Sequence, residues 1–535
     1  MFKNIETITQ QKLETILQKR LLANDKKLLD IPPPHLLKDA TKSAKRLARA
    51  IKDGEPIALI GDYDVDGVSA TAIAINFFKQ ISYPLEAIIP NRFSDGYGVS
   101  ASVLKRVDAK LIITVDNGIS AIEAGEVCAS RGIDLIITDH HTPPQTLPKA
   151  YAIVDPKQDD CSYPISEICG AEVIWLVLAE LKKELKLDVD MREFLGILAI
   201  ATIADIMPLV DINRAIVKAG LKQLLSSNAP YATIIRDFLN KKTISSEDIA
   251  FMIAPRLNSA GRMSDASIAL RFFTASTIGE AYEAFSELGE LNELRKTEEA
   301  LITKEAIAQA DGDAKVIVVA KDGWHEGIVG IVASKLVEHF SKPAIVLSIN
   351  GDEAKGSARS LGRVDIHKLL EQNAHLLSRF GGHTMAAGLA LKCSDIDAFK
   401  SAINKTASLL DESDFLPYID VLGILPTKEI DLNILNILER FEPYGEANQR
   451  PRFYIDSATV LRVELFGKEK NHSRVVVKQN SYEDELELLF FKQILTYKQD
   501  SKISCSYTIV KNEFNSRVST QLIINKIHNT NTNIL

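Results

Sequence analysis

From residue 55 to residue 156 the chain repeats one pattern: a short apolar run, a polar break, then a stretch of helical periodicity. The runs are "PIALIGD", "LEAIIP", "AKLIITVD", "IDLIITDHH" and "YAIVDP", and "GVSATAIAINFFKQI" and "ISAIEAGEVCASRG" read as helices between them. A strand with one wet face alternates apolar and polar residues, and these do not. Both faces must therefore be covered, which predicts a parallel sheet with helices on each side, joined by right-handed crossovers. That fold also says where to look for a site, because ligands of open parallel sheets bind beyond the carboxyl ends of the strands.

At those ends stand Asp62, Asp64 and Asp66, then Asp116, then Asp139, His140 and His141, then Asp155. One such aspartate is ordinarily a helix cap or a turn former, and Asp116 in "VDNGIS" taken alone reads that way. Six aspartates and two histidines on one line of loops do not. Carboxylates that converge without partners must bind cations or take up protons. Oxygen donors joined by imidazole suit Mn2+ or Mg2+, with imidazole favouring Mn2+, and no thiolate lies near these motifs to favour zinc. Shared carboxylates also permit two ions roughly 3.5–4 Å apart, the arrangement used for in-line phosphoryl displacement. These residues predict a phosphate-ester hydrolase.

Residues 171–310 look mostly helical, and the proline-free stretch 277–310, rich in Glu, Ala and Leu, predicts one long connecting helix. A second α/β unit starts at "AKVIVVA" (314–320) and continues through "GIVGIVASKLVEHF", "PAIVLSI" and "EAKGSARS". Beyond "GILPTKEIDL" the pattern changes to short β segments such as "RPRFYIDSATVLRVEL", "HSRVVVKQ" and "ISCSYTIVK", which predict a small barrel. The last residues, "NTNTNIL", read as a frayed tail.

A length of 535 residues exceeds what one core supports and implies roughly three or four domains. No apolar run reaches the roughly 18–20 residues needed to cross a bilayer, and the polar start lacks the apolar centre of a signal peptide. Five scattered cysteines without a CxxC argue against a disulfide framework and a structural zinc site, and point to a reducing cytoplasm. The net charge of −8 is uneven. From Arg450 onward 13 basic residues face 9 acidic ones, a surplus of four, which leaves −12 on the first 449 residues. A mildly basic end is compatible with a polyanion partner and equally with an ordinary solvated surface.

Taken together, "GDYDVDG" (61–67), "VDNG" (115–118) and "DHH" (139–141) resemble the DHH phosphoesterase superfamily. "ATIADIMPLVDINR" (201–214), "APRLNSAGRM" (254–263), "GWHEGIVGIVASKLVE" (323–338), "GSARS" (356–360) and "FGGHTMAAG" (380–388) follow in order. With them the chain is similar to the RecJ family of bacterial single-strand-specific DNA exonucleases, and "PYGEANQRPRF" (443–453) resembles that family's OB-fold domain.

The resemblance implies an α/β architecture in five parts: an N-terminal helical extension (1–45), a DHH catalytic domain with a helical second half (46–275), a long connecting helix (276–312), a DHHA1 substrate-binding domain (313–412) and an OB-fold nucleic-acid-binding β-barrel (413–530). It implies two Mn2+ or Mg2+ ions held by Asp64, Asp66, Asp116, His140 and Asp205, with Asp116 shared between them. Asp62 and His141 would either touch the ions or stand directly behind their ligands, with His141 placed to hydrogen-bond the scissile phosphate or the leaving oxygen, while Asp139 and Asp155 would orient the histidines. Asn258, Arg262, Arg359 and Ser360, with Gly381, Gly382 and His383, would bind the terminal phosphate of the substrate. Trp324 and His325 would stack on substrate or pack at a helix start, and Phe453, Tyr454 and Phe466 would be stacking platforms or barrel core. The implied activity is 5′-to-3′ degradation of single-stranded DNA to 5′-mononucleotides in repair and recombination. The implied protein is a cytoplasmic monomer that cooperates with a RecQ-type helicase and a single-strand-binding protein. Two rivals remain: a small-substrate DHH enzyme such as a nanoRNase, a cyclic-dinucleotide phosphodiesterase or a manganese pyrophosphatase, which lacks the extra β domain, and a degenerate scaffold, which would not keep the ligand set.

Overall fold

The computed structural model describes residues 5–22, 25–416, 421–479, 485–514 and 517–528; the tail 529–535 lies outside them. The chain divides into two compact units. One holds Arg20–Arg295 with Glu442–Gln449, and the other holds Met1–Lys19, Lys296–Phe441 and Arg450–Leu535.

The first unit is built on β1 (Ile57–Ile60), β2 (Glu86–Ile88), β3 (Leu111–Val115), β4 (Asp134–Thr138) and β5 (Ala152–Val154). They form a parallel sheet in the order β2-β1-β3-β4-β5. The lack of alternation in β1 has a direct cause. Ile57 and Leu59 enter a core shared with the helices Ala40–Asp53, Val65–Gln80, Gly170–Leu185 and Leu195–Ala204, whereas Ala58 and Ile60 enter a separate core beneath Val103, Leu104 and Ile119. Successive side chains of a strand point to opposite faces, so each face has its own apolar cover. Arg46, 5% exposed, ties the helix Ala40–Asp53 to this sheet by ion pairs to Asp134 at 2.6 Å and Glu55 at 2.7 Å. The segment 442–449 completes the unit. Glu446 O accepts from Leu209 N (2.7 Å), Glu442 O from Arg214 Nη2 (2.7 Å) and Tyr444 O from Ser246 Oγ (2.5 Å).

A 32-residue helix, Ile278–Gln309, carries the chain from the first unit into the second, where a long connector is expected. The second unit contains a mixed sheet of β6 (Ile317–Asp322), β7 (Ala344–Asn350), β8 (Glu353–Arg359), β9 (Arg379–His383) and β10 (Ala386–Lys392), ordered β6-β7-β8-β10-β9. Its remaining strands, β11 (Arg452–Phe466), β12 (His472–Lys478), β13 (Glu485–Phe490), β14 (Lys502–Phe514) and β15 (Arg517–His528), close into a barrel. The N-terminal segment does not stand apart as an extension. Ile8 N donates to Ile424 O and Gln10 N to Glu429 Oε2, both at 2.9 Å, so residues 5–19 pack against chain that lies some 419 positions later.

Of the two roles open to Phe453 and Tyr454, stacking platform or barrel core, the structure selects the second. Phe453 and Tyr454 are fully buried, with the Phe453 ring against Tyr507 and the Tyr454 ring against His528, so they are barrel core. Trp324 is likewise buried, its indole nitrogen donating to Glu305 at 2.8 Å. Among the described residues, no helix is long and apolar enough to cross a membrane.

Leu59 has no exposed surface at the centre of β1. Leu59→Ala is expected to cost about 2–5 kcal/mol through lost burial and a residual cavity. A urea titration checks this, and the midpoint should fall with an unchanged slope.

Candidate metal centre

Each acidic cluster is placed by local backbone chemistry. Asp62 follows β1, and a Cβ on Gly67 would come within 2.7 Å of the Asp62 Cα, so the loop closes on itself only with glycine there. Asp64 caps the helix Val65–Gln80, accepting from Gly67 N at 3.1 Å. Asp66, in the first turn of that helix, accepts from Gly170 N (2.6 Å) and Ala171 N (2.9 Å). These amides open the helix Gly170–Leu185, whose unsatisfied N–H groups favour an anion. Asp116 follows β3 in a left-handed conformation (φ 61°) and donates its N–H to Thr138 O. A side chain at Gly170 would come within 2.5 Å of Asp116 Oδ1, so glycine there keeps room for the carboxylate. Asp205 ends the helix Leu195–Ala204.

His140 Nε2 draws these groups together. It lies 3.2 Å from Asp116 Oδ1, 3.5 Å from Asp205 Oδ2 and 3.8 Å from Asp66 Oδ2. Asp62, Asp64 and Asp116 form a further group whose ligand atoms lie within 4.8 Å of one another, as do Asp116, His140 and His141. The expected ligands Asp64, Asp66, Asp116, His140 and Asp205 thus converge, with Asp62 and His141 beside them. Among the described residues, none of these aspartates is ion-paired with lysine or arginine. Asp62 Oδ1, Asp116 Oδ1 and Asp205 Oδ2 are buried with no hydrogen bond.

Burial first, and neighbouring carboxylates second, push Asp62 and Asp116 well above the usual carboxylate range. The same causes raise Asp66 to about 6 and Asp205 to about 9. Burial lowers His140 to about 4, so it is a neutral donor at pH 7. Carboxylate oxygens, one neutral imidazole and orphaned buried acceptors fit hard divalent cations of the Mn2+ or Mg2+ kind.

Asp139 orients its neighbour. Its Oδ1 accepts from His140 N (2.8 Å) and lies 2.7 Å from His141 Nδ1, while its Oδ2 accepts from Ile119 N (2.8 Å). Burial alone would lower His141, but the bond to Asp139 outweighs it and raises this half-exposed imidazole to about 9. Asp155 departs from the expected role: it accepts from Lys157 N at 2.7 Å and shapes its own loop.

The sequence reading missed three residues here. Asn117, fully buried, donates to Ile60 O and Val115 O and accepts from Val99 N, clamping the ends of β1 and β3. Tyr97 donates to Asp116 O at 3.3 Å, and its ring meets His141 edge-on. Gly170 is the third. The only sequence signals were the amide in "VDNG" and the glycine-rich "DGYG".

Asn258 and Arg262 lie on the helix Ala254–Met263, which borders the metal loop: Asn258 Oδ1 accepts from Val65 N at 3.3 Å. The other expected substrate residues belong to the second unit. Arg359 and His383 are both register partners of Ala386, so they share one row and one face of that sheet, with Gly382 (φ 145°) and Gly381 next in line on an exposed strand. Arg359 Nη1 donates to Ser357 Oγ (2.7 Å) and Ala358 O (2.9 Å) and has no carboxylate partner among the described residues. Ser360 is corrected: it is buried and its hydroxyl donates to Val364 O, so its proton is not available to a phosphate.

A doubly covered parallel sheet whose strand ends gather carboxylates and a DHH run defines a metal-dependent DHH phosphoesterase. Residues 56–202 match the DHH family N-terminal domain, 313–409 the DHHA1 domain and 422–526 the RecJ OB domain. The Escherichia coli single-stranded-DNA-specific exonuclease RecJ is 30% identical over 528 residues, covering 92% of this chain and 91% of that protein. The Bacillus subtilis protein of the same name is 35% identical over 92% of this chain, which spans 64% of its length. A crystal structure of Thermus thermophilus RecJ with Mn2+ superposes with a TM-score of 0.79 at 28% identity, covering 94% of this chain and 74% of that one; its Mg2+ complex gives 0.74. The chain belongs to the RecJ exonuclease family.

Two outcomes follow from the charge balance. Between pH 6.5 and 9 the folded, metal-free protein keeps protons on Asp205 and His141 that the unfolded chain releases near 4 and 6.5, so stability falls as pH rises through this window. Thermal melts in EDTA should show Tm declining from pH 6.5 to 9, and Mn2+ should reverse the decline. Gly170→Ala should weaken Mn2+ binding by about 10- to 100-fold, the usual size of a change behind the ligands. Calorimetric titration with Mn2+ checks it.

Proposed function

We propose that the chain is a single-strand-specific DNA exonuclease that degrades from the 5′ end to 5′-mononucleotides, in repair and recombination. The observation that carries this reading is the convergence of Asp66, Asp116 and Asp205 on His140 in a family of such nucleases. Asp64, Asp66, Asp116, His140 and Asp205 would hold two Mn2+ or Mg2+ ions, which when bound activate water and offset phosphoryl charge.

The chain's own residues supply position and polarity. The amides of Gly170 and Ala171 hold Asp66, Asp139 holds His141 by Nδ1, and Nε2 of His141 is left to donate to a phosphoryl oxygen or the leaving 3′ oxygen. Asp62 would accept from attacking water. Arg359 and His383, with the bare backbone of Gly381 and Gly382, would receive the 5′-terminal phosphate, and Arg262 and Asn258 a neighbouring one. On the barrel, Phe466 makes an aromatic group with His472 and the exposed Phe491 beneath the Arg474 guanidinium, a surface that suits base stacking and backbone charge. A RecQ-type helicase and a single-strand-binding protein would supply and present the strand. We place the protein in the cytoplasm, in keeping with its five free cysteines, and read it as a monomer.

Asp116→Ala should reduce turnover of 5′-labelled single-stranded DNA in Mn2+ to less than a tenth while leaving the melting curve of the metal-free protein in place. Retention of more than about a tenth of the activity, with normal Mn2+ stoichiometry, would refute the ligand assignment. Arg359→Ala should lower kcat/KM on 5′-phosphorylated strands by about 10- to 150-fold, the loss of one charge-assisted hydrogen bond of roughly 1.5–3 kcal/mol. The loss should shrink on 5′-hydroxyl strands. Equal losses on both would mean that Arg359 serves the domain and not the strand end.

A further inference from the structure

A cationic cleft lies in the first unit and shares no residue with the metal centre. On the helix Asp211–Ser226, Arg214, Lys218 and Lys222 recur every four residues and so occupy one face. The turn Leu28–Asp30 packs on that helix and brings Lys26 and Lys27 to the same place. Between them is a cleft of about 280 Å³, just below the roughly 300–1,000 Å³ of ordinary small-molecule sites. Its floor is apolar, formed by Leu28, Ala215 and Ala219.

Two features make this more than a basic surface. The ammonium groups of the four lysines are in no ion pair among the described residues, the Lys27 backbone N–H alone donating to Asp30 (2.8 Å). Asp25 is the one carboxylate among the described residues that line the cleft, so its lining carries five cations and one anion, a surplus of four, in a chain of net −8. Arg214, moreover, is only 4% exposed. Its Nη2 is fixed to Glu442 O at 2.7 Å, yet its Nε is buried without a hydrogen bond. A buried guanidinium with an unused N–H is costly unless an anion meets it.

We propose that this cleft binds a nucleoside polyphosphate, with the phosphates on Arg214, Lys218, Lys222, Lys26 and Lys27 and the base on the Leu28–Ala215–Ala219 floor. A charge of +4 matches the four negative charges of a triphosphate better than the two of a monophosphate, and the apolar floor has no use for an inorganic anion. The site would let a small nucleotide report on the catalytic unit without entering its centre.

The test uses the full chain in EDTA, which silences the metal centre, and follows the anisotropy of N-methylanthraniloyl-ATP. Saturable binding is expected, weakened about tenfold or more in the exposed double variant Lys218→Glu/Lys222→Glu and unchanged in Asp116→Asn. ATP should compete better than AMP and better than inorganic tripolyphosphate. Melting curves and hydrolysis of a short labelled oligonucleotide should match the parent in the double variant, which separates this site from the nuclease reading. Unchanged binding in the double variant, or loss in Asp116→Asn, would overturn the proposal. Tripolyphosphate competing as well as ATP would reduce the site to an anion trap and overturn it too, as would an oligothymidylate that outcompetes ATP, because the face would then track a strand.

Discussion

Repulsion among carboxylates is the constraint on which the rest of this structure depends. Asp66, Asp116 and Asp205 crowd around one neutral imidazole, Asp62 and Asp64 crowd against Asp116, and most of the five are shielded from water. Such a group resists its own assembly at neutral pH unless protons or cations intervene. The fold answers with rigid backbone. Amides of the helix Gly170–Leu185 hold Asp66, the Asn117 amide fastens two strand ends, and apolar cores on both sides of the sheet keep those ends from spreading. The protein is thus preorganised for charge it does not itself carry, as expected of a site in which ions are to be fixed and not merely captured.

The two histidines of the DHH run show how one backbone turn serves two purposes. Both backbone amides point to Asp139 Oδ1, yet His140 is buried against carboxylates while His141 is half exposed. Adjacent residues diverge in this way because the chain bends immediately after β4. One ring becomes a ligand candidate with a low affinity for protons, and the other a cation held by a fixed acceptor.

The sheet was legible because it is covered twice: Ile57 and Leu59 serve one core and Ala58 and Ile60 the other, so alternation vanishes and a continuous apolar run remains. The strand-end aspartates were legible for the same reason, since position in such a sheet fixes which ends converge. Asp205 was not, because a helix end carries no comparable positional rule, and only the family motif pointed to it. Gly170 was invisible, as its role exists only through the nearness of Asp116. Phe453 and Tyr454 stayed open between platform and core for another reason. Aromatic residues in a barrel strand carry no mark of which will be covered, and here both are.

The segment Glu442–Gln449 changes what a domain means in this chain. It lies between the helix Leu432–Arg440 and β11, yet its carbonyls accept from Leu209, Arg214 and Ser246 of the catalytic unit. Linear order and spatial membership therefore part company there. The helix and the barrel that flank the segment cannot be exchanged, like beads on a string, for those of another protein unless this short stretch is kept. Evolution would have to inherit it with the catalytic unit, and a fragment that stops short of it would lack backbone acceptors that its catalytic half uses.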